Sequence, residues 1–404
     1  MIYDVVIIGS GISGLYSAYK LKKKVPGANI LIVEKKQKKW IGGRTSTVNF
    51  HGVDISTGAG VGRKEKDELL ISLLRELKIK YNEGVAVTKF ASSVKNVVNI
   101  GKIIIQLKKE YKKRKQPVKE TFKQFAINIL GCDTYQNFLV TSTYTDYENE
   151  DVYNVLYNYG MDDNQDGWTA LYVPWEKLVN TLASAIKCDI KFSCNVTAIE
   201  KHMGKQEEIY VLDVKNGSPI SCRVVIVATD IDSLRTFFPK DNVYKQIHGQ
   251  PFLRVYGKFA QSSIPIMKEA VPNRTVVAGP IHSVINIDEN KGIYMIVYTD
   301  NDGAKFFKEK GRLKNTAENR DHFSRALEMS LGLPSSSLQL VDMIDFYWPI
   351  GTHYYEPLHG QYKNRREFVK EAQHPMPNVF VVGEAVSIHQ GWVEGALESV
   401  EAVI

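Results

Sequence analysis

The chain opens on an unbroken apolar run, Val5 to Ile8, a pattern that predicts a strand buried on both faces of a parallel sheet. The run feeds Gly9-Ser10-Gly11-Ile12-Ser13-Gly14, and a helix-compatible segment follows from Leu15 to Lys24. A turn at Val25-Pro26-Gly27 then leads to a second apolar run, Ile30 to Val33, closed by Glu34. Strand, glycine turn, helix and strand in this order predict a βαβ unit. Gly9 permits the tight turn, Gly11 lets backbone N–H groups approach a pyrophosphate, and Gly14 lets helix and strand pack closely. The helix N-terminus presents its positive end to the phosphates, and Glu34, about twenty residues on, is placed to accept from a ribose diol.

Further along, Val53 to Ser56 reads as a strand that ends at Gly58-Ala59-Gly60, and Leu69, Leu70, Leu73, Leu74 and Leu77 predict a helix over residues 67–77. Between these pieces, Trp40-Ile41-Gly42-Gly43-Arg44 suits a backbone that lies close to a ligand while a guanidinium reaches an anion such as the pyrophosphate. From Tyr81 the pattern breaks into short apolar segments around Gly101, a lysine-rich turn and helices to about Tyr147. A helix with proline in its first turn begins at Pro174-Trp175, with Leu178, Leu182 and Ile186 on one face. Strands are predicted over 189–192, 195–201, 209–214 and 222–229, and a second set over 251–259, 275–278, 292–299 and 338–346, with a helix over 315–331.

With 404 residues, 44% of them hydrophobic, the chain has ordinary globular composition and enough length for two or three units. The net charge of +7 comes from lysine clusters at 35–39 and 102–119, which read as solvated faces, so nucleic-acid binding is not expected. Four cysteines without Cys-x-x-Cys spacing read as reduced thiols, and no metal site is expected. No apolar run is long enough to span a bilayer and the N-terminus enters a strand directly, so the expectation is a soluble, cytoplasmic protein.

The glycine motif at 9–14, Glu34, Gly42-Gly43-Arg44 and the Gly58-Ala59-Gly60 turn before a leucine-rich helix together resemble the flavin-containing amine oxidoreductase family. That family includes monoamine, polyamine and L-amino-acid oxidases. The resemblance implies FAD, held through Gly9, Gly11, Ser13, Gly14, Glu34, Lys35, Gly43, Arg44, Ala59 and Gly60, with the backbone of Val196 against the adenine. Near the C-terminus, Gly383-Glu384 and Trp392-Val393-Glu394-Gly395-Ala396 are similar to the family's closing motif. There Glu384 would bond the ribityl chain, and the helix start at Trp392, Val393 and Ala396 would face the pyrimidine end of the isoalloxazine. The implied fold is α/β: a discontinuous Rossmann-type FAD-binding domain (residues 1–80, 189–248 and 375–404) with an inserted α+β substrate domain on a mixed sheet (residues 81–188, largely helical, and 249–374).

The implied reaction is amine oxidation, in which a hydride equivalent leaves the carbon beside nitrogen for FAD and O2 reoxidises the flavin to give imine or aldehyde and H2O2. The amine must be neutral, so an aromatic, poorly hydrated pocket assists; Trp392 with Tyr354, chosen among Tyr347, Trp348, Tyr354 and Tyr355, is the expected pair. Where monoamine oxidases carry a flavin-linked cysteine after a glycine, this chain has Gly351-Thr352, which implies non-covalent FAD. The counterpart of the family's active-site lysine is Arg254, which stays protonated and cannot be a base. It would hold water, a substrate carboxylate or a structural salt bridge. A polyamine or another primary or secondary amine is the favoured substrate if Asp162, Asp163, Asp166 or Glu356 face the cavity; a cavity-facing Arg254 favours an amino acid. The polar segment 151–168 reads as a surface loop or a substrate gate. The same scaffold hosts desaturases and protoporphyrinogen-type oxidases, and a flavoprotein that only binds a partner is a further reading. The load of lysine, asparagine and isoleucine suggests an AT-rich genome, such as that of a large DNA virus.

Overall fold

A computed structural model describes residues 1–114, 119–161, 167–204, 207–358, 362 and 364–404. Asp162, Asp163 and Asp166 therefore lie outside the described residues.

The opening apolar run forms the strand Ile2–Ile8 at the centre of a sheet, with Val6 and Ile7 fully buried. It pairs in parallel with Ile30–Val33 on one side and with Ile220–Val227 on the other. Asp189–Lys191 extends the sheet beyond Ile30–Val33, and Glu208–Val214 and Val196–Met203 extend it antiparallel beyond Ile220–Val227. Val379–Val381 joins in parallel against Ile220–Val227. Two remote stretches of chain, 189–227 and 379–381, thus complete the sheet that the first βαβ unit begins. The helix Ile12–Lys24 packs on one face with the helices Glu68–Glu76, Trp175–Ala185 and Val393–Glu401, burying Leu15, Leu74, Leu178 and Leu397 in one apolar core. A second core on the opposite face gathers Val6, Leu31, Val225 and Phe368.

The other large sheet has the order Leu340–Tyr355, Ile247–Phe259, Ile293–Asp300, Ser283–Asp288, Arg274–Val276 and Thr88–Phe90. All its pairs are antiparallel except the last. The strand expected at 338–346 runs on through Pro349 to Tyr355. Proline has no N–H to donate, and it sits where the ladder with Ile247–Phe259 slips, between Gln250 and Phe252. The broken apolar pattern around Gly101 proves to be a helix, Ile100–Lys112: Ile103, Ile104 and Leu107 share its buried face, and Gly101 falls in the first turn after the Asn99 cap. That helix packs with Phe122–Leu130, Cys132–Ser142 and Val152–Tyr157 around Phe122, Phe138 and Tyr147. Among the described residues no helix is long and apolar enough to cross a membrane.

Candidate active site

Two cavities meet inside the molecule. The first, about 550 Å³, begins over the carboxyl ends of the parallel strands, the place where open α/β sheets bind ligands. Gly9, Gly11, Ser13, Glu34, Lys35, Gly43, Arg44, Ala59, Val196, Gly383, Glu384, Trp392, Val393 and Ala396 all line it. Gly9 needs its positive φ of 109°, and a side chain there would strike the Ala228 carbonyl. Gly14 does not line the cavity but packs behind it, where an added Cβ would stand 2.0 Å from the Gly9 carbonyl oxygen. Gly11 has open space where its Cβ would be, so a ligand can lie directly on the backbone at the start of the helix Ile12–Lys24. An open glycine cradle, a cation at Arg44 and a carboxylate at Glu34 fit a dinucleotide with its pyrophosphate and ribose.

The Glu34 carboxylate is fixed by the Ser10 N–H at 2.8 Å, the Ser10 hydroxyl at 3.0 Å and the Lys36 N–H at 2.8 Å. Lys35 pairs with Asp230 at 3.3 Å. At the other end, Glu384 is a junction. It accepts from the Arg44 guanidinium at 3.0 Å, from the His353 N–H at 2.8 Å and from the Gly391 N–H at 2.8 Å. Its second oxygen also lies 2.6 Å from His353 Nδ1. Burial alone pushes this carboxyl up, but the interactions with His353 and Arg44 and the hydrogen bonds outweigh it and bring the pKa down to about 2. Glu384 thereby ties the Arg44 loop, the strand Leu340–Tyr355 and the loop before the last helix into one cluster.

The second cavity, about 720 Å³, opens from the first. Ala59, Phe252, Arg254, Tyr298, Thr352, Gly391 and Trp392 line both, so the two spaces share a wall around Trp392. Gly60 lines only the second. Trp392 is held from three sides. Its indole N–H donates to the buried Asp67 carboxylate at 2.8 Å, Trp175 meets it edge-on at 6.1 Å, and the Arg63 guanidinium, itself bound to Asp67, lies 5.8 Å from its ring centre. Arg254 is 5% exposed and donates to the Ala59 carbonyl at 3.0 Å. Burial works against its charge, but the oxygens of Tyr256 and Tyr298 more than compensate and raise its pKa, so it stays a cation.

Tyr354 lines neither cavity: it stacks on His248 at 5.2 Å, and the ring partners of this region are Trp175, on Trp392, and Tyr298, under Arg254. The slip at Pro349 explains the difference. Residues Trp348 to Thr352 all line the first cavity, and beyond them the restored pairing of Tyr354 with His248 carries its ring away. Glu356 also lines neither cavity and pairs with His248 at 3.1 Å. The sequence pattern does not single out Asp67, Tyr298, Arg274 or Asp146, all of which stand at this end. Only Asp67 carries a local signal, as an acid just before a leucine-rich helix. Asp146 is buried, lines the second cavity and accepts from the Tyr159 hydroxyl at 2.5 Å.

A dinucleotide cradle that opens onto an aromatic, arginine-bearing cavity defines the class: an FAD-dependent oxidoreductase. Residues 7–77 match the model of the NAD(P)-binding Rossmann-like domain, and residues 87–401, well over half of the chain, match that of the flavin containing amine oxidoreductases. The chain belongs to the flavin containing amine oxidoreductase family. Among solved structures, a double mutant of putrescine oxidase from a redesign of cofactor binding is similar with a TM-score of 0.75 and 16% identity, over 100% of this chain and 98% of that one. A putative protoporphyrinogen oxidase from Exiguobacterium sp. 255-15 gives 0.69 and 15%, over 99% and 97%. An uncharacterized protein, R188, of Acanthamoeba polyphaga mimivirus is 20% identical over 99% of this chain and 93% of its own length.

Proposed function

We propose that this protein is an amine oxidase that binds FAD without a covalent bond and takes a hydride equivalent from the carbon next to a neutral amine. The observation that carries the reading is the shared wall: the substrate cavity opens onto the cofactor cavity at Trp392, Gly391, Thr352 and Arg254, so a ligand in one reaches the end of a cofactor in the other. FAD, when bound, supplies the acceptor for the two electrons and the hydrogen. Gly9, Gly11 and the start of the first helix would hold its pyrophosphate together with Arg44, Glu34 its ribose and Val196 its adenine. Glu384 and the N-terminal turn of the last helix, at Trp392, Val393 and Ala396, would hold the flavin end. Gly60 stands behind Arg254 on the substrate side.

The protein's own part is to bind, orient and exclude water. Trp392, fixed by Asp67 and Trp175, presents a rigid aromatic face, and a poorly hydrated site favours the neutral amine whose lone pair expels the hydride equivalent. Arg254 cannot accept a proton, so it positions and does not act as a base. O2 would accept the two electrons together with two protons to give H2O2, and water would hydrolyse the imine to a carbonyl compound and an amine or ammonia. Thr352, with no thiol, supports a cofactor that is held by contacts alone.

The test is H2O2 release across a panel of monoamines, polyamines and amino acids, with anaerobic bleaching of the flavin as the direct readout. Acid precipitation of the yellow protein is expected to leave the flavin in the supernatant. If no amine bleaches the flavin, amine oxidation fails; if the colour stays in the pellet, non-covalent binding fails.

A further inference from the structure

One wall of the second cavity carries four side chains in alternation. The Arg254 guanidinium lies 4.9 Å from the centre of the Tyr298 ring, Tyr298 meets Tyr144 edge-on at 5.9 Å, and the Arg274 guanidinium lies 5.2 Å from the Tyr144 ring. All four line the cavity. The arrangement follows from strand pairing: Arg254 stands opposite Tyr298 in the ladder of Ile247–Phe259 and Ile293–Asp300, and Arg274 opens the strand Arg274–Val276 two places further across the same sheet.

Among the described residues neither guanidinium has a carboxylate partner. Arg254 donates to the Ala59 carbonyl, and Arg274 donates to the hydroxyls of Thr143 and, at 3.4 Å, Ser283. The buried acid on the lining, Asp146, does not supply the missing charge: burial first and Asp300 second push its pKa well above the ordinary carboxylate value, which favours the neutral acid. Arg63 is neutralised by Asp67, while Asp54, Glu176 and Lys177 are exposed on the rim. Among the described residues the inner wall is therefore positive. The tyrosines support the guanidiniums without neutralising them, so the wall keeps positive charge that an anionic ligand can meet.

We infer that the amine taken by this cavity carries a carboxylate, which Arg254 receives beside the cofactor end while Arg274 draws it in from further out. A di- or polycation, by contrast, meets like charge on this wall. The inference rests on the amine oxidase reading and narrows it to amino acids in the broad sense, in which amine and carboxylate share one molecule.

The experiment uses the flavin-loaded protein and reads two signals. Pentanoate, pentylamine and putrescine are titrated while the flavin spectrum is followed, and 5-aminopentanoate, a set of α-amino acids and putrescine are compared as anaerobic reductants. Pentanoate is expected to perturb the spectrum, with its affinity falling by about tenfold or more in Arg254→Met and by about threefold in Arg274→Met, as expected for lost charge-assisted hydrogen bonds. Arg254→Lys, which keeps the charge, is expected to retain most of the affinity and guards against a folding defect in the methionine variant. Reduction by putrescine or perturbation by pentylamine, with no response to pentanoate, overturns the carboxylate inference and leaves amine oxidation standing. Pentanoate binding that depends on Arg254, with reduction by none of the amines, keeps the anion site and removes amine oxidation. Silence of the spectrum to every carboxylate overturns the inference.

Discussion

The two cavities, proposed for cofactor and for substrate, share a wall but are built from different materials. The first is made mostly of backbone: glycines at 9, 11, 43 and 383, helix starts, and a few side chains anchored by partners within the protein, as Glu34 and Glu384 are. The second is made of side chains from distant elements, among them Arg254, Arg274, Tyr144, Tyr298 and Trp175, and two of its cations are left without a counter-charge among the described residues. One region spends its contacts within the protein; the other holds charge in reserve for a ligand. A site over-determined in this way recognises one molecule whatever the chemistry, while an under-compensated site decides what that chemistry acts on.

The largest break in this contrast is expected at Gly14. An alanine Cβ there would collide with the Gly9 carbonyl, a backbone atom with no rotamer to escape into. Gly14→Ala is expected to lose on the order of 3 kcal/mol of stability and its flavin, as measured by the urea midpoint and the ratio of flavin to protein absorbance.

Glu384→Gln comes next. Removing one partner from a buried charged cluster costs about 3 kcal/mol. It also changes the acid response. The carboxyl has a folded pKa of about 2, below its unfolded value of 4.5, so its contribution is complete above the unfolded value and is lost as pH falls from there through the folded value. Acid titration of the cofactor-free protein should show wild-type stability falling over that window and a flatter profile in Glu384→Gln.

The smallest effect is expected at Arg254. Arg254→Met removes a buried cation that tyrosine oxygens support but that no described carboxylate neutralises, so the cofactor-free protein should change by no more than about 1 kcal/mol in urea unfolding, even as ligand recognition suffers. A clear loss of stability would show that Arg254 is structural and would erase the contrast.

The same contrast explains what is legible in the chain. The residues of the first cavity sit in contiguous motifs, because a backbone cradle must be written in consecutive glycines and the strand and helix that flank them, so Gly9 to Gly14, Arg44 and Glu384 stand out in the amino-acid sequence itself. Arg254 is visible through the resemblance, which sets its strand against the one that carries the family's lysine. Tyr354 is misplaced by the pattern because alternation cannot be carried across the slip at Pro349. Arg274, Tyr144 and Asp146 have no local signature; only the folding of the sheet against the helical region around Phe122 and Tyr147 brings them to one wall. The second sheet is legible as strands but not in its order, and the pattern misses Ser283–Asp288, since pairing partners are set by tertiary packing and not by propensity.

The long antiparallel ribbon of Ile247–Phe259 and Leu340–Tyr355 has one more implication. Its one end, at Ile247 and Tyr355, is buried in the core beneath the nucleotide sheet, and its other, at Phe259 and Leu340, in the core of the second sheet. The two cores are therefore bolted to a common girder instead of being joined by a hinge. Rigid-body opening of one half against the other would have to bend that girder, so substrate entry falls to the loops and side chains at the cavity mouth, and traffic through the site is a matter of small gates within a stiff frame.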